Sequence, residues 1–267
     1  MTVSAERISV ITVVRNDLSG LQRTIESVQA QTSTAFEHVV WDGASDDGTP
    51  EWLAAISDRL RNFSWHSERD SGIFDAMNKA TQLCTGQLLL YLNAGDTIVN
   101  ADILAWVLTD WHAHRWRWAY GRTARWNGPR YVDRSDERPF RLDRFLAGRM
   151  YVPHQAAFIT RDGFVRHAGF QLAAGMAADQ DLLARFALES APHAWPVTIA
   201  NFQLGGPHSL ISPRQRETEW RRLRDSNLQR TSRQKMTDAV RTEVRIRMLE
   251  ARAFARPLKR RPSHLSL

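Results

Sequence analysis

The chain has 267 residues, 43% of them hydrophobic and 24% charged, with a single cysteine and a net charge of +7. That much apolar material excludes a disordered chain and suits one α/β domain, and one cysteine excludes an intrachain disulfide or a cysteine-built zinc site. The charge belongs to one end: residues 214–267 hold 16 Lys and Arg against 6 Asp and Glu, whereas the remainder holds 20 against 23. An acidic-leaning body with a basic extension argues against a nucleic-acid-binding domain and for an anionic surface met at one end. Neither end shows a secretory apolar segment, and no run approaches the roughly 18 apolar residues of a membrane span, so the expected location is the cytoplasm.

Along the first hundred residues, β-rich runs alternate with helical patterns. Strands are predicted at RISVITVVR (7–15), FEHVVW (36–41), FSWHS (63–67) and QLLLYLN (87–93). Between them LSGLQRTIESVQAQ, TPEWLAAISDRL and IFDAMNKATQLC repeat apolar residues at spacings of three and four, the period of a helix with one buried face. Strands separated by single helices imply right-handed crossovers and a mostly parallel sheet, and such sheets bind ligands beyond the carboxyl ends of their strands. The polar residues at those ends are Arg15, Asn16 and Asp17, then Asp42, then Glu68 and Asp70, then Asn93 and Asp96. Each alone is ordinary turn or cap chemistry. Four successive strand ends on one rim are different, because clustered carboxylates repel unless a cation or a hydroxyl-rich ligand compensates them.

Farther on, NADILAWVLTDWHAH is predicted helical and RWRWAYGRTARWNGPRYVDR a strand pair, its tryptophans suited first to core packing and second to sugar stacking. RLDRFLAG reads as a short helix. VPHQAAFIT reads as a strand starting with His154 and Gln155, and AADQDLLARFALES as a helix with Asp179 and Asp181 in its first turn, where carboxylates also suit the helix dipole. PVTIANFQLGGPHSL is a strand entering a Gly-Gly-Pro turn that carries His208, open to ligand or solvent. From Ser212 to Phe254 the sequence is helical and arginine-rich, with Val240, Val244, Met248, Leu249 and Ala251 near one face, as in a docking or interfacial helix. The expected organisation is an α/β domain, 1–211, and a basic helical extension, 212–267. No G-x-G-x-x-G and no Walker A loop occurs, which argues against a dinucleotide oxidoreductase and a P-loop phosphotransferase.

The runs ISVITVVRNDLSGLQRTIESVQAQT, VVWDGASDDGT and SERDSGIFDAMNKATQLCTGQLLLYLNAGD, followed in order by HQAAF, ADQDLLAR and GGPHS, resemble the family 2 glycosyltransferases of the GT-A fold, in particular the colanic acid and exopolysaccharide branch. The similarity spans about residues 7–211 and leaves the extension uncovered. It implies a Rossmann-like central sheet flanked by helices and an inverting transfer of sugar from a nucleoside diphosphate donor, UDP or GDP type, to a saccharide or lipid-linked saccharide acceptor. By that resemblance Thr12, Val14, Arg15 and Asp42 would line the nucleotide pocket, and Asp70 would contact base or ribose. Asp75, Asn78 and Lys79 would position donor phosphate or sugar.

NAGD stands where the family carries its D-x-D motif. Asn93 and Gly95 occupy positions often held by Asp, which leaves Asp96 as the carboxylate for Mg²⁺ or Mn²⁺, ions that take oxygen ligands and keep positions open for phosphate. Asp179 matches the family's catalytic base, with Asp181 next in the same pattern. His208 would add a C-terminal metal ligand, and His154 and Gln155 would meet diphosphate or acceptor. The thinned D-x-D motif also admits a second expectation, a sugar-nucleotide-binding assembly or regulatory subunit with weak catalysis. The basic extension would meet an anionic membrane surface at the inner face of the cell membrane or dock a partner enzyme.

Overall fold

The computed structural model describes residues 6–135, 139–205 and 212–254. Strand β1 (Ile8–Val14) is buried along its whole length and sits between β2 (Phe36–Asp42) and β4 (Leu88–Tyr91), with β3 (Phe63–Ser67) outside β2; all of these pairs are parallel. Alternate side chains explain why β1 is buried throughout: Ile11 and Val13 enter one core and Ile8 and Val10 the other, on opposite faces of the sheet. Helices α1 (Leu18–Gln29), α2 (Thr49–Ile56) and α3 (Ile73–Gln82) make the crossovers.

Beyond β4 the sheet becomes mixed. β8 (Ala157–Thr160) runs antiparallel to β4, β6 (Trp118–Asn127) antiparallel to β8, and β9 (His193–Gln203) parallel to β6, while the short β5 (Thr97–Ile98) pairs with β9. β7 (Arg130–Arg134) forms a hairpin with β6. These directions bring the end of β9 and the start of β8 to the same rim as the ends of β1, β2 and β4. The predicted strand at VPHQAAFIT is shorter than expected, because His154–Ala156 form a 3-10 turn that Pro153 introduces. That turn holds His154 and Gln155 at the rim instead of in the ladder.

α4 (Ile103–His114) covers one face, where Trp111, Trp116 and Trp195 pack as core residues. Trp118 is fully buried on the other face. There α5 (Leu142–Leu146), α6 (Arg161–Arg166) and α7 (Ala178–Glu189) complete the layer with α3. Cys84 is a core residue, and burial pushes its thiol up to about 12.

The extension begins with α8 (Pro213–Asn227), capped by the Ser212 hydroxyl, and continues as α9 (Ser232–Phe254). α8 shares the core of the α/β body: Leu223 is 1% exposed, and Trp220 lies edge-on to Phe145 with ring centroids 5.7 Å apart. A side chain at Gly148 would meet the Trp220 ring at 3.0 Å. Arg224 donates to the Leu146 carbonyl and pairs with Asp238 of α9 at 2.8 Å. No described helix is long and apolar enough to cross a membrane.

Candidate active site

Among the described residues, a cavity of about 600 Å³ opens at the rim, and its walls come from five segments of chain. The end of β1 supplies Val14 and Arg15, and the loop after β3 supplies Asp70. The turn after β4 supplies Asn93 and Asp96, the 3-10 turn before β8 supplies Gln155, and the end of β9 supplies Gln203. The loops are tied to one another. Asn16, at a φ of 53°, accepts from Asp46 N at 2.9 Å, and its own N–H donates to Ser45 Oγ at 2.8 Å. Asp17 caps α1 by accepting from Gly20 N at 2.9 Å.

The NAGD turn is bolted to α1 through the buried Thr24 hydroxyl, which accepts from Gly95 N at 3.0 Å and donates to the Asp96 carbonyl at 2.8 Å. Gly95 has a φ of 94°, a conformation a side chain would strain. The Asp96 carboxylate is 3% exposed and accepts from Gln203 N at 3.0 Å. Burial raises its pKa to about 7, against the opposing pull of that backbone bond and of His154 and Gln155. Asn93 donates through Nδ2 to His154 Nε2 at 3.2 Å, while its Oδ1 is buried with no protein partner. The donor set here is therefore one carboxylate and one amide oxygen, both hard ligands. That chemistry fits Mg²⁺ or Mn²⁺.

From Asn93 a chain of hydrogen bonds leads away from the cavity. His154 Nδ1 lies 3.1 Å from Asp179 Oδ2, so the ring bridges Asn93 and Asp179. Asp179 is 1% exposed and also accepts from the Tyr151 hydroxyl at 2.9 Å, Gln180 Nε2 at 3.0 Å and Gln180 N at 2.7 Å. Tyr151, itself half exposed, thus lies between Asp179 and solvent. Although the residue is half exposed, desolvation around the hydroxyl and the neighbouring Asp179 carboxylate hold the Tyr151 phenol well above its usual range.

Asp181 is placed differently. Its carboxylate is held by Arg185 at 2.7 Å and by Asn227 of α8 at 2.6 Å, and it does not line the cavity. Arg185 also donates to the carbonyls of His167 and Gly169, so Asp181 anchors the loop between α6 and α7. α8 further braces the approach to α7, because Glu219 accepts from Met176 N at 3.3 Å.

Several other predicted residues also stand off the cavity, each for a local reason. Thr12 is fully buried and bonded to His38 Nε2 at 2.9 Å; burial drives the His38 pKa down to about 3 and keeps that ring neutral. Asp42 is fully buried and spends its carboxylate on Ser67 Oγ at 2.6 Å and Ser45 N at 3.1 Å. Asn78 faces the other way, clamping Phe170 by donating to its carbonyl at 2.9 Å and accepting from its N–H at 3.0 Å.

Asp75 and Lys79 support the loop that carries Asp70. Asp75 accepts from Ser71 N at 2.8 Å, a bond that lowers its pKa, and Lys79 reaches Glu68 and the Arg69 carbonyl, each at 2.8 Å. Asp70 itself packs so closely on Gly43 that a side chain there would lie 2.6 Å from its Oδ2. His208 lies outside the described residues. Tyr151, Gln203 and Asn227 had no motif to mark them, since their roles come from strand ends and helices distant in sequence, and Gln180 lay unmarked inside ADQDLLAR. Trp126 is half-buried and lines a smaller cavity together with Gln203.

Comparison with known proteins places these features in a family. The family model "Glycosyl transferase family 2" matches residues 9–170. An uncharacterized glycosyltransferase of Mycobacterium tuberculosis is 34% identical over 231 residues, covering 83% of this chain and 84% of the relative. A PGL/p-HBAD biosynthesis glycosyltransferase of Mycobacterium bovis is 32% identical over 187 residues, covering 67% of this chain and 69% of its own. Among solved structures, S. aureus TarS 1–349 in complex with UDP-GlcNAc superimposes with a TM-score of 0.69 at 17% identity, over 93% of this chain and 73% of that one. The mannosyltransferase PcManGT from Pyrobaculum calidifontis, in complex with GDP-Man and Mn²⁺, gives 0.65 at 17% identity, over 96% and 77%. The GT-A fold expected from the motifs is the fold observed, and with its family match extending over more than half its length, the chain belongs to the family 2 glycosyltransferases.

Proposed function

We propose that this glycosyltransferase is an inverting enzyme that carries a sugar from a nucleoside diphosphate to an acceptor hydroxyl with the help of a divalent cation. The observation that carries this reading is the pairing at one rim of a buried, partnerless amide oxygen on Asn93 with the buried Asp96 carboxylate, joined through His154 to Asp179. Val14, Arg15 and Asp70 hold the nucleoside side of the donor. Asp96 and Asn93 hold the cation, which when bound would neutralise the charge gathering on the departing diphosphate. Asp179 takes the acceptor proton as the acceptor oxygen attacks, late in the displacement, when even a carboxylate is basic enough. The acceptor hydroxyl replaces the Tyr151 hydroxyl as the donor to Asp179 Oδ2, so Tyr151 swings away when acceptor binds. One in-line displacement of this kind inverts the anomeric centre.

The test is transfer from a panel of UDP-, GDP- and dTDP-sugars with Mn²⁺ or with EDTA. One nucleotide class should support transfer only with the cation, and undiminished transfer in EDTA would remove Asp96 from the role assigned here.

An acceptor of the cell surface, either a growing polysaccharide or a lipid-linked saccharide, fits a chain whose relatives include a PGL/p-HBAD biosynthesis glycosyltransferase. α9 supplies a route to it. Met236, Val240, Val244 and Met248 recur every fourth residue and are 66%, 61%, 53% and 54% exposed, while Arg233, Lys235, Arg241 and Arg247 are exposed on the same helix. An apolar stripe flanked by cations suits an anionic bilayer, each well-placed cation contributing about 1 kcal/mol. Vesicles containing phosphatidylglycerol should therefore bind the protein and release it in high salt, and Val240→Glu with Val244→Glu should abolish binding. Equal binding to neutral phosphatidylcholine vesicles would overturn the electrostatic part of this reading.

A further inference from the structure

A second cluster of ligating side chains lies at the opposite end of β9 from Gln203, about 30 Å along the strand at ~3.3 Å per residue. Asp110 and His114 share the last turn of α4 at i,i+4 spacing, and His193 opens β9. The ligating atoms of the three all lie within 4.8 Å of one another. His114 Nδ1 is 3.2 Å from Asp110 Oδ1, and His193 Nε2 is 3.5 Å from Asp110 Oδ2. His114 Nδ1 also meets the Asp110 backbone carbonyl at 2.9 Å, a bond it would exchange for an ion; a tetrahedral ion with bonds of about 2.0–2.1 Å keeps its ligand atoms about 3.3 Å apart, so the three groups need only small shifts to enclose one.

The carboxylate is held in place from behind. Asp110 Oδ2 accepts from Trp116 Nε1 at 2.9 Å and from Trp195 Nε1 at 3.2 Å, and both indoles belong to the core. Hydrogen-bonded outer partners of this kind orient a metal ligand. The two imidazoles lie with ring centroids 4.7 Å apart and tilted by 34°, with side chains 52% and 32% exposed, so a hydrated ion reaches them. The neighbouring His112 and Arg115 are engaged by Glu6.

We propose that Asp110, His114 and His193 bind a divalent transition ion of the Zn²⁺ class, with water in the open position, clamping the end of α4 to the start of β9. Two imidazole nitrogens and one carboxylate select Zn²⁺, Ni²⁺ or Cu²⁺ over the oxygen-preferring Mg²⁺ and Mn²⁺, which sets this site apart from the rim.

The test uses the full chain stripped by a chelator and titrated with Zn²⁺, with Co²⁺ as the spectroscopic probe. Co²⁺ should give the intense visible bands of a tetrahedral site, and Zn²⁺ should raise the melting temperature even in excess Mg²⁺. His114→Gln combined with His193→Asn should weaken Zn²⁺ binding by more than the roughly 100-fold that losing an outer partner costs at most, and Trp195→Phe should weaken it about tenfold. Asp96→Asn, which removes the rim carboxylate, should leave Zn²⁺ binding intact. Zn²⁺ affinity unchanged in the double variant, or lost with Asp96→Asn alone, would overturn the assignment.

Discussion

Asp179→Asn is expected to lower sugar transfer by about a thousandfold, the middle of the range for a lost general base. The nucleotide diphosphate should bind as before, because no Asp179 atom lines the donor cavity. Asparagine would also turn an N–H₂ toward Tyr151 or Gln180, both of which now donate to Asp179. That conflict should cost about 1–3 kcal/mol of stability, so nucleotide affinity and urea unfolding are measured beside kcat.

Asp181→Asn provides the contrast. It breaks a mostly buried pair with Arg185 and should cost stability by about 3–5 kcal/mol, with activity per folded molecule retained. Full activity in Asp179→Asn and none in Asp181→Asn would reverse the two roles. Nucleotide binding without transfer in the wild type, under every donor and cation, would favour the assembly-subunit reading.

Asp96→Asn is expected to abolish cation-dependent transfer, by about a thousandfold if the cation supplies several kcal/mol to the transition state, and at the same time to stabilise the fold at alkaline pH. The folded pKa of Asp96 is about 7, raised by burial above its ordinary value of 3.8. Between those values the native state holds a proton that the unfolded chain has released, so stability falls as pH rises through that window and levels off above pH 7. A shift of that size corresponds to about 4 kcal/mol over the window. Asparagine keeps the neutral form at every pH and still accepts from Gln203 N. The variant should therefore melt higher than wild type at pH 8, and the gap should close toward pH 4. Mn²⁺ binding to the wild type should weaken below pH 7, since the proton and the cation compete for the same carboxylate. A flat difference in melting temperature across this range would show that Asp96 is not the buried titrating group.

Much of the rim of the cavity was legible because its residues follow strands. Arg15, Asp70, Asn93 and Asp96 each lie at or within a few residues of a strand end, and a parallel sheet gathers such ends on one side, so their meeting could be read from order alone. The same logic put Asp42 at the rim, and the family resemblance put Thr12 there, but neither could show that both carry out local bonds, Thr12 to His38 and Asp42 to Ser45 and Ser67. Strand order says which residues reach a rim. Which way each side chain turns there depends on partners from other segments.

The sequence by itself determined the α/β class, the crossovers, the NAGD turn and the order of motifs, because apolar periodicity and turn residues act over a few neighbours. Only the tertiary structure decided that Asp179 and Asp181, two residues apart, have different surroundings. A helix rotates successive side chains by about 100°, so i and i+2 face different partners: here Tyr151 and His154 for one, Arg185 and Asn227 for the other. Tertiary contact likewise made α8 part of the core, through Trp220 and Leu223, where charge alone had marked it as a tail. It also made one site of Asp110, His114 and His193, since β9 returns beside α4 only once the whole sheet has formed.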